Sequence, residues 1–169
     1  AYNLDKRNPP TAVVQALSNA YFGSDEFHFY KQMMHREPVR HIAVSPNGQY
    51  IASASNDNTA KIWTTSGKLI ATLAKHNKPV LYVAFSPDSK QLVTSSEDET
   101  AIIWSTTGNA IATLQGHKDD VRTAIFSPDG KQVLTASFDQ TAKIWTTNGT
   151  LLRTLEGHSN AIEYAIYAP

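Results

Sequence analysis

A 41-residue period organises this chain. Trp63, Trp104 and Trp145 stand 41 residues apart, and so do Asp57, Asp98 and Asp139. Histidines keep the same register at His35, His76, His117 and His158, and Ser-Pro pairs begin at Ser45, Ser86 and Ser127. Four residue classes sharing one register mark a repeat architecture. Each unit is a supersecondary element that cannot bury its apolar face alone and stacks on its neighbours to do so.

Every unit reads as four short strands. In the second unit they are Val80–Phe85, Gln91–Ser95, Thr100–Trp104 and Ala110–Leu114. The first two are joined by Ser86-Pro87-Asp88-Ser89, the next two by a tight turn around Asp98, and the last two by Thr107-Gly108-Asn109. Proline presets φ at the second turn position, Asn or Asp tolerates the third, and glycine supplies a positive φ at the fourth. The other units carry Ser45-Pro46-Asn47-Gly48 and Ser127-Pro128-Asp129-Gly130, so Ser89 replaces a glycine and mild strain is expected there. Short strands with turn signals every ~8–12 residues indicate a sandwich or a radial repeat, and the fixed period selects the radial repeat.

The units resemble WD40 repeats, which have a period of about 40–45 residues and four strands per blade. Gly116-His117 and Gly157-His158 match the Gly-His dipeptide of that family, whereas Met34-His35 and Lys75-His76 depart from it. The Trp-Asp dipeptide is absent, since Thr64, Ser105 and Thr146 follow the tryptophans. The resemblance covers residues 28–169 and implies an all-β fold: a propeller fragment of three full four-stranded blades plus partial flanking blades. The full blades span approximately 35–73, 76–114 and 117–155, with a partial blade at 158–169. The 41-residue shift makes His28–Gln32 an outer strand and Ile162–Tyr167 the inner strand of a fourth blade.

The same resemblance implies a buried hydrogen-bonded tetrad in each blade: His35, Ser53, Asp57 and Trp63; His76, Thr94, Asp98 and Trp104; His117, Thr135, Asp139 and Trp145. Aspartate holds imidazole, imidazole meets the hydroxyl, and the hydroxyl meets the indole N–H. Buried polar groups need partners, and a satisfied network rigidifies the blade. Asp, His and Ser/Thr together also suggest a hydrolytic triad. Three copies, a hydroxyl engaged by tryptophan, and the lack of a Gly-x-Ser-x-Gly elbow count against it. A metal site is not expected, because residues one blade apart lie on different spokes and no His-Glu-x-x-His occurs. His28 and His41 fall outside the histidine register and read as surface or packing residues.

Composition narrows the function classes. Fifteen basic and fifteen acidic residues cancel, so no net field draws the chain to nucleic acid or an anionic membrane. With no cysteine there is no disulfide framework, zinc–thiolate site or thiol nucleophile. No apolar run approaches the roughly 20 residues that span a bilayer, and no nucleotide-binding glycine loop is present. A cofactor is not expected, and a cytoplasmic location is. Residues 1–27 lack the repeat register. Asn8-Pro9-Pro10-Thr11 starts a short amphipathic helix with Val13, Leu17 and Tyr21 on one stripe, which ends at Gly23-Ser24-Asp25. This lead-in resembles the connection into the propeller of large bacterial multidomain signalling ATPases.

The expected function is a protein-interaction scaffold or sensor that binds peptides or proteins through propeller loops. Its alternatives are the recognition or regulatory part of a larger multidomain enzyme, and a self-assembly unit that completes a ring as a homo-oligomer. Two position classes are commonly used by the family. One precedes the tetrad aspartate: Asn56, Glu97 and Phe138. The other lies at the start of the inner strand: Arg40, Leu81, Arg122 and Glu163, with Asp120 beside Arg122. Phe138 reads either as an interface anchor or as packing on its own blade, and Arg40 and Arg122 either as receptors for an acidic partner segment or as partners of a neighbouring Glu or Asp.

Overall fold

The structure, a computed structural model, describes residues 34–168. The lead-in helix of residues 1–27 and the outer strand at 28–32 lie outside the described residues.

Twelve strands form three four-stranded antiparallel sheets. The first comprises β1 (Val39–Val44), β2 (Tyr50–Ser55), β3 (Ala60–Thr64) and β4 (Leu69–Leu73); the second β5 (Val80–Phe85), β6 (Gln91–Ser96), β7 (Thr100–Ser105) and β8 (Ala110–Gln115); the third β9 (Val121–Phe126), β10 (Gln132–Ser137), β11 (Ala142–Thr146) and β12 (Leu151–Leu155). Within each sheet the strands lie in sequence order, as hairpin connections require. The expected strands of the second unit reappear within one residue at each end. The Ser-Pro turns close as the sequence implies: Ser86 Oγ accepts from the Gln91 N–H at 2.9 Å, and Ser45 and Ser127 do the same with Tyr50 and Gln132. Ser89 does sit in the left-handed region, at φ 61°.

The sheets stack face to face as blades. β5 packs on β1 and β2, and β9 packs on β5 and β6, which puts the first strand of each sheet on the inside. Two apolar interfaces result. Between the first two sheets, Ala52, Ile62 and Leu73 meet Val83, Leu92 and Trp104. Between the second and third, Val93, Ile103 and Leu114 meet Val121, Val133 and Trp145. Each residue of the second set stands 41 positions after its counterpart in the first, apart from Val121, which corresponds to Val80. Trp104 and Trp145 thus serve twice, as anchors within their blades and as apolar surface against the preceding one.

The segment 162–167 departs from expectation. It forms no strand and keeps one backbone bond to the third sheet, from the Ile162 N–H to the Ser137 carbonyl at 3.0 Å. A strand needs a ladder partner to satisfy its alternating N–H and C=O groups, and no described segment lies alongside this one.

Candidate functional site

All three tetrads assemble. His35 Nδ1 lies 2.9 Å from Asp57 Oδ2, and His35 Nε2 lies 2.7 Å from Ser53 Oγ, which accepts from Trp63 Nε1 at 3.1 Å. In the second blade the three distances are 2.8, 2.8 and 2.9 Å, through Asp98, Thr94 and Trp104. In the third they are 2.8, 2.7 and 2.9 Å, through Asp139, Thr135 and Trp145. One proton arrangement satisfies every member. A neutral imidazole donates from Nδ1 to the carboxylate and accepts at Nε2 from the hydroxyl, whose oxygen takes the indole N–H. Thr94 and Thr135 are fully buried and Ser53 nearly so. A hydroxyl in that position is engaged by the histidine and tryptophan of its own blade.

The network is wider than the tetrad. Thr59, Thr100 and Thr141 donate from both backbone and hydroxyl to the aspartate two residues earlier. The N–H groups of Arg36, Asn77 and Lys118 reach the other carboxylate oxygen. Ser55, Ser96 and Ser137 accept from the aspartate's own N–H and donate to the Glu37, Lys78 and Asp119 carbonyls, tying the turn to the chain entering the inner strand. These threonines and serines share the 41-residue register, and that signal was readable in the sequence.

The donors set the charge state. Burial pushes the Asp57 carboxyl up, but hydrogen bonds from Thr59, the Arg36 N–H and His35 outweigh it and hold the pKa at about 2. Asp98 is likewise held at about 2 against burial, by His76, Thr100 and the Asn77 N–H. Asp139 falls well below the usual carboxylate range against burial, through Thr141, His117 and the Lys118 N–H. Burial lowers His35 and His117, with their aspartates opposing the shift. A neutral imidazole against an ionised carboxylate suits a structural clamp.

The loop-end candidates are brought together in pairs, and a β-bulge does it. Register shifts separate Val39 from His41, Val80 from Tyr82, and Val121 from Thr123 across the ladder, leaving Arg40, Leu81 and Arg122 as the extra residues. A bulge re-aims the side chain it frees. Beside each bulge, the N–H of Asn56, Glu97 or Phe138 donates to the carbonyl of Pro38, Pro79 or Asp120. Arg40 Nε then donates to Asn56 Oδ1 at 2.6 Å, and the Arg122 guanidinium lies 4.7 Å from the centre of the Phe138 ring. The aromatic anchor therefore serves first as a platform for its own arginine. Among the described residues, neither arginine has a carboxylate within salt-bridge distance. Leu81 is buried, at 8 % exposure, and offers a partner little surface. Glu97 and Asp120 are half-buried, and Glu163 is exposed on the segment that pairs with no strand.

One set of inner-strand residues escaped the sequence reading. His41, Tyr82, Thr123 and Tyr164 also stand 41 apart. The His41 ring stacks on Tyr82 at 3.8 Å between centroids, and Tyr82 meets Tyr164 edge-on at 6.3 Å. His41 is outside the tetrad register but inside another, and it packs across the first blade interface. Among the described residues, no cluster of three or more His, Asp or Glu is placed to hold a metal ion, and no helix is long and apolar enough to cross a membrane.

The WD domain, G-beta repeat family matches residues 29–64, 67–105 and 108–146, about two thirds of the chain. The second and third matched stretches begin just before an outer strand and end just after a tryptophan, so each sequence repeat supplies the outer strand of one sheet and three strands of the next. Two solved structures, described as the crystal structure of RRP9 WD40 repeats and the structure of U3-55K, superpose with a TM-score of 0.72 at 26 % identity. Each covers 76 % of this chain, which spans 41 % and 42 % of theirs. Ribosome assembly protein 4 of Saccharomyces cerevisiae is 51 % identical over 39 residues, 22 % of this chain and 8 % of that protein. The ribosome biogenesis protein BOP1 homolog of Dictyostelium discoideum is 56 % identical over 32 residues, 19 % of this chain and 4 % of that protein. The chain therefore spans less than a tenth of the curated relatives it matches.

Proposed function

The chain belongs to the WD40-repeat family, and on that premise we propose that it is a non-enzymatic protein-interaction scaffold. It takes peptide or protein segments at the end of the blades where the inner strands bulge. The observation that carries this reading is the pair of bulge arginines. Arg40 and Arg122 are each positioned by a turn residue of their own blade and, among the described residues, lack a carboxylate partner. A guanidinium held by an amide oxygen or a ring face keeps N–H donors for an incoming carboxylate. The preferred partner segment is acidic, and a cytoplasmic location goes with this reading. Relatives named for ribosome assembly and biogenesis support a scaffold role. A zero net charge favours a protein over a nucleic-acid backbone as the partner.

Fluorescence anisotropy with labelled Asp/Glu-rich peptides, their Asn/Gln counterparts and a single-stranded RNA oligonucleotide tests the proposal. The acidic peptides should bind best. Arg122→Ala should weaken them roughly tenfold or more, because a hydrogen bond to a charged group contributes ~1.5–3 kcal/mol. Phe138→Ala should act in the same direction by freeing the guanidinium. Binding that is unchanged in Arg40→Ala, Arg122→Ala and Phe138→Ala would sink the assignment. Tighter binding of RNA than of any peptide would replace the partner class.

A further inference from the structure

The turns that join the third strand of each sheet to the fourth share one form. Ser66-Gly67, Thr107-Gly108 and Asn148-Gly149 stand 41 residues apart, with the glycines at φ 82°, 96° and 94°. Only the turn of the third sheet puts an asparagine before the glycine. That pairing sets an electrophilic amide carbon beside a backbone nitrogen that no Cβ shields. Asn148 is exposed. Its Oδ1 accepts from the Thr146 hydroxyl and from the Thr150 hydroxyl, the latter at 3.2 Å. Its Nδ2 has no hydrogen-bond partner among the described residues.

We propose that Asn148 is a self-modification site, at which the chain deamidates spontaneously and alters its own backbone. The Gly149 nitrogen gives its proton to water and attacks Asn148 Cγ. The new N–C bond closes a cyclic succinimide. Oδ1 carries the negative charge of the tetrahedral intermediate, and Nδ2 takes up a proton and leaves as ammonia. Water then opens the ring at either carbonyl, leaving aspartate or isoaspartate at position 148. Donors aimed at an oxygen where charge develops stabilise such an intermediate. The Thr146 and Thr150 hydroxyls are placed to do so, and as side-chain donors they can follow Oδ1 as it moves.

Asn47-Gly48, the other Asn-Gly pair of the sequence, is the internal comparison. Each glycine N–H donates within its own turn, Gly149 to the Thr146 carbonyl at 3.0 Å and Gly48 to the Ser45 carbonyl at 2.8 Å. The turn must therefore open before the nitrogen can attack, and around Asn47 that opening breaks more. Asn47 Oδ1 is held by the Gln49 N–H at 3.0 Å, and the Asn47 N–H donates to Ser89 Oγ of the next blade at 3.1 Å. The consequences differ too. Aspartate at position 47 would match Asp88 and Asp129 of the other Ser-Pro turns. Isoaspartate at position 148 adds a methylene to the main chain where Gly149 has no slack. A Cβ built on Gly149 would stand 3.1 Å from the Ala112 Cβ of the second sheet and 3.8 Å from the Thr113 carbonyl oxygen. Deamidation there loosens β12 and the rim contact between the second and third blades.

Peptide mapping by mass spectrometry, with fragmentation that separates aspartate from isoaspartate, tests this on the intact chain aged over a range of pH. Asn148 should convert severalfold faster than Asn47, at a rate that rises with pH as the Gly149 amide gives up its proton more readily. In urea, where both turns are lost, the two sites should convert alike. Thr150→Val should slow conversion at Asn148 and leave Asn47 unchanged. Asn148→Ser places the residue of the first-sheet turn in the third, and its urea midpoint should survive the same ageing while that of the parent falls. Conversion at Asn148 that is no faster than at Asn47 in the folded chain, or that is unmoved by Thr150→Val, overturns the proposal. So does the same ratio of rates in urea as in the folded chain. An equal fall of the midpoint in the parent and in Asn148→Ser overturns the effect on the blade contact.

Discussion

Gly108 and Ala71 set how closely the first two blades approach at their outer rim. A Cβ added to Gly108 would stand 2.6 Å from the Ala71 Cβ, nearer than two carbons sit without displacement, and the backbone there has φ +96°. Gly108→Ala therefore meets a clash and a disfavoured backbone together. It should lower stability by about 2–4 kcal/mol, adding overpacking to backbone strain of ~1–3 kcal/mol. Gly157→Ala supplies the comparison, with φ +121° and no atom within 4 Å. Urea unfolding followed by tryptophan fluorescence should show a clearly smaller loss there. Equal losses at the two sites would mean that the approach of the blades is not what Gly108 protects.

The tetrad hydroxyl is the joint on which two other groups depend. Thr94 Oγ1 serves both His76 Nε2 at 2.8 Å and Trp104 Nε1 at 2.9 Å, in a fully buried position. Thr94→Val keeps the shape and strands both nitrogens, at about 1–3 kcal/mol for each unsatisfied group. Thr94→Ser keeps the oxygen and loses one methyl, which should cost less than about 1.5 kcal/mol. Equilibrium unfolding of the two variants measures the difference. If Val is tolerated as well as Ser, the network is not holding the blade together.

Much of this was legible in the sequence because the 41-residue register does the work of an alignment inside one chain. Strand positions, the Ser-Pro turns and the left-handed Ser89 follow from it, and the members of the three tetrads follow from the family resemblance that the register supports. The bulges were not legible. A bulge adds one residue to one strand without changing the repeat length, so the sequence singled out Arg40 and Arg122 as candidates without revealing that their ladder pairing is broken. For Phe138 the sequence left anchor and packing on its own blade both open, because its partner Arg122 lies 16 residues away, across a hairpin. Leu81 shares the bulge position but is apolar, so the fold buries it. The segment 162–167 has the pattern of an inner strand, yet pattern alone supplies no ladder partner.

Turn residues with positive φ separate backbone strain from bonding. Glu99 lies at φ 67° and is exposed, so Glu99→Gly should raise stability by about 0.5–1.5 kcal/mol, the left-handed region costing a non-glycine residue roughly 1–2 kcal/mol. Ser89 lies at φ 61° but accepts a hydrogen bond from the Asn47 N–H of the neighbouring blade at 3.1 Å. Ser89→Gly relieves the backbone and loses that bond, so the net change should stay within about 0.5 kcal/mol. Ser89→Ala loses the bond with no relief and should destabilise. The order expected in thermal unfolding is Glu99→Gly above parent, Ser89→Gly near parent, and Ser89→Ala below. Any gain from Ser89→Ala would show that the bond between the turns contributes nothing.

Acid should destabilise the protein over two pH ranges, because two kinds of tetrad group, imidazole and carboxylate, have pKa values shifted by folding. His35 and His117 have folded pKa values below the ordinary 6.5, with burial as the main cause. The unfolded chain therefore takes up protons first as pH falls through about 6.5, and stability declines until the folded histidines also protonate. Asp57 and Asp98 are depressed from 3.8 to about 2, so their contribution is complete above the unfolded value and is lost as pH falls from there toward 2. Both windows have the same sign, since the unfolded state binds more protons in each. The urea midpoint should begin to fall as pH drops through about 6.5, and the carboxylates should add a further loss below about pH 4. His117→Gln should be less stable at neutral pH and show a shallower upper stage, while the lower one persists through Asp57 and Asp98. A midpoint that is level between about pH 7 and pH 5 in the parent would mean that the imidazoles are not held neutral by burial.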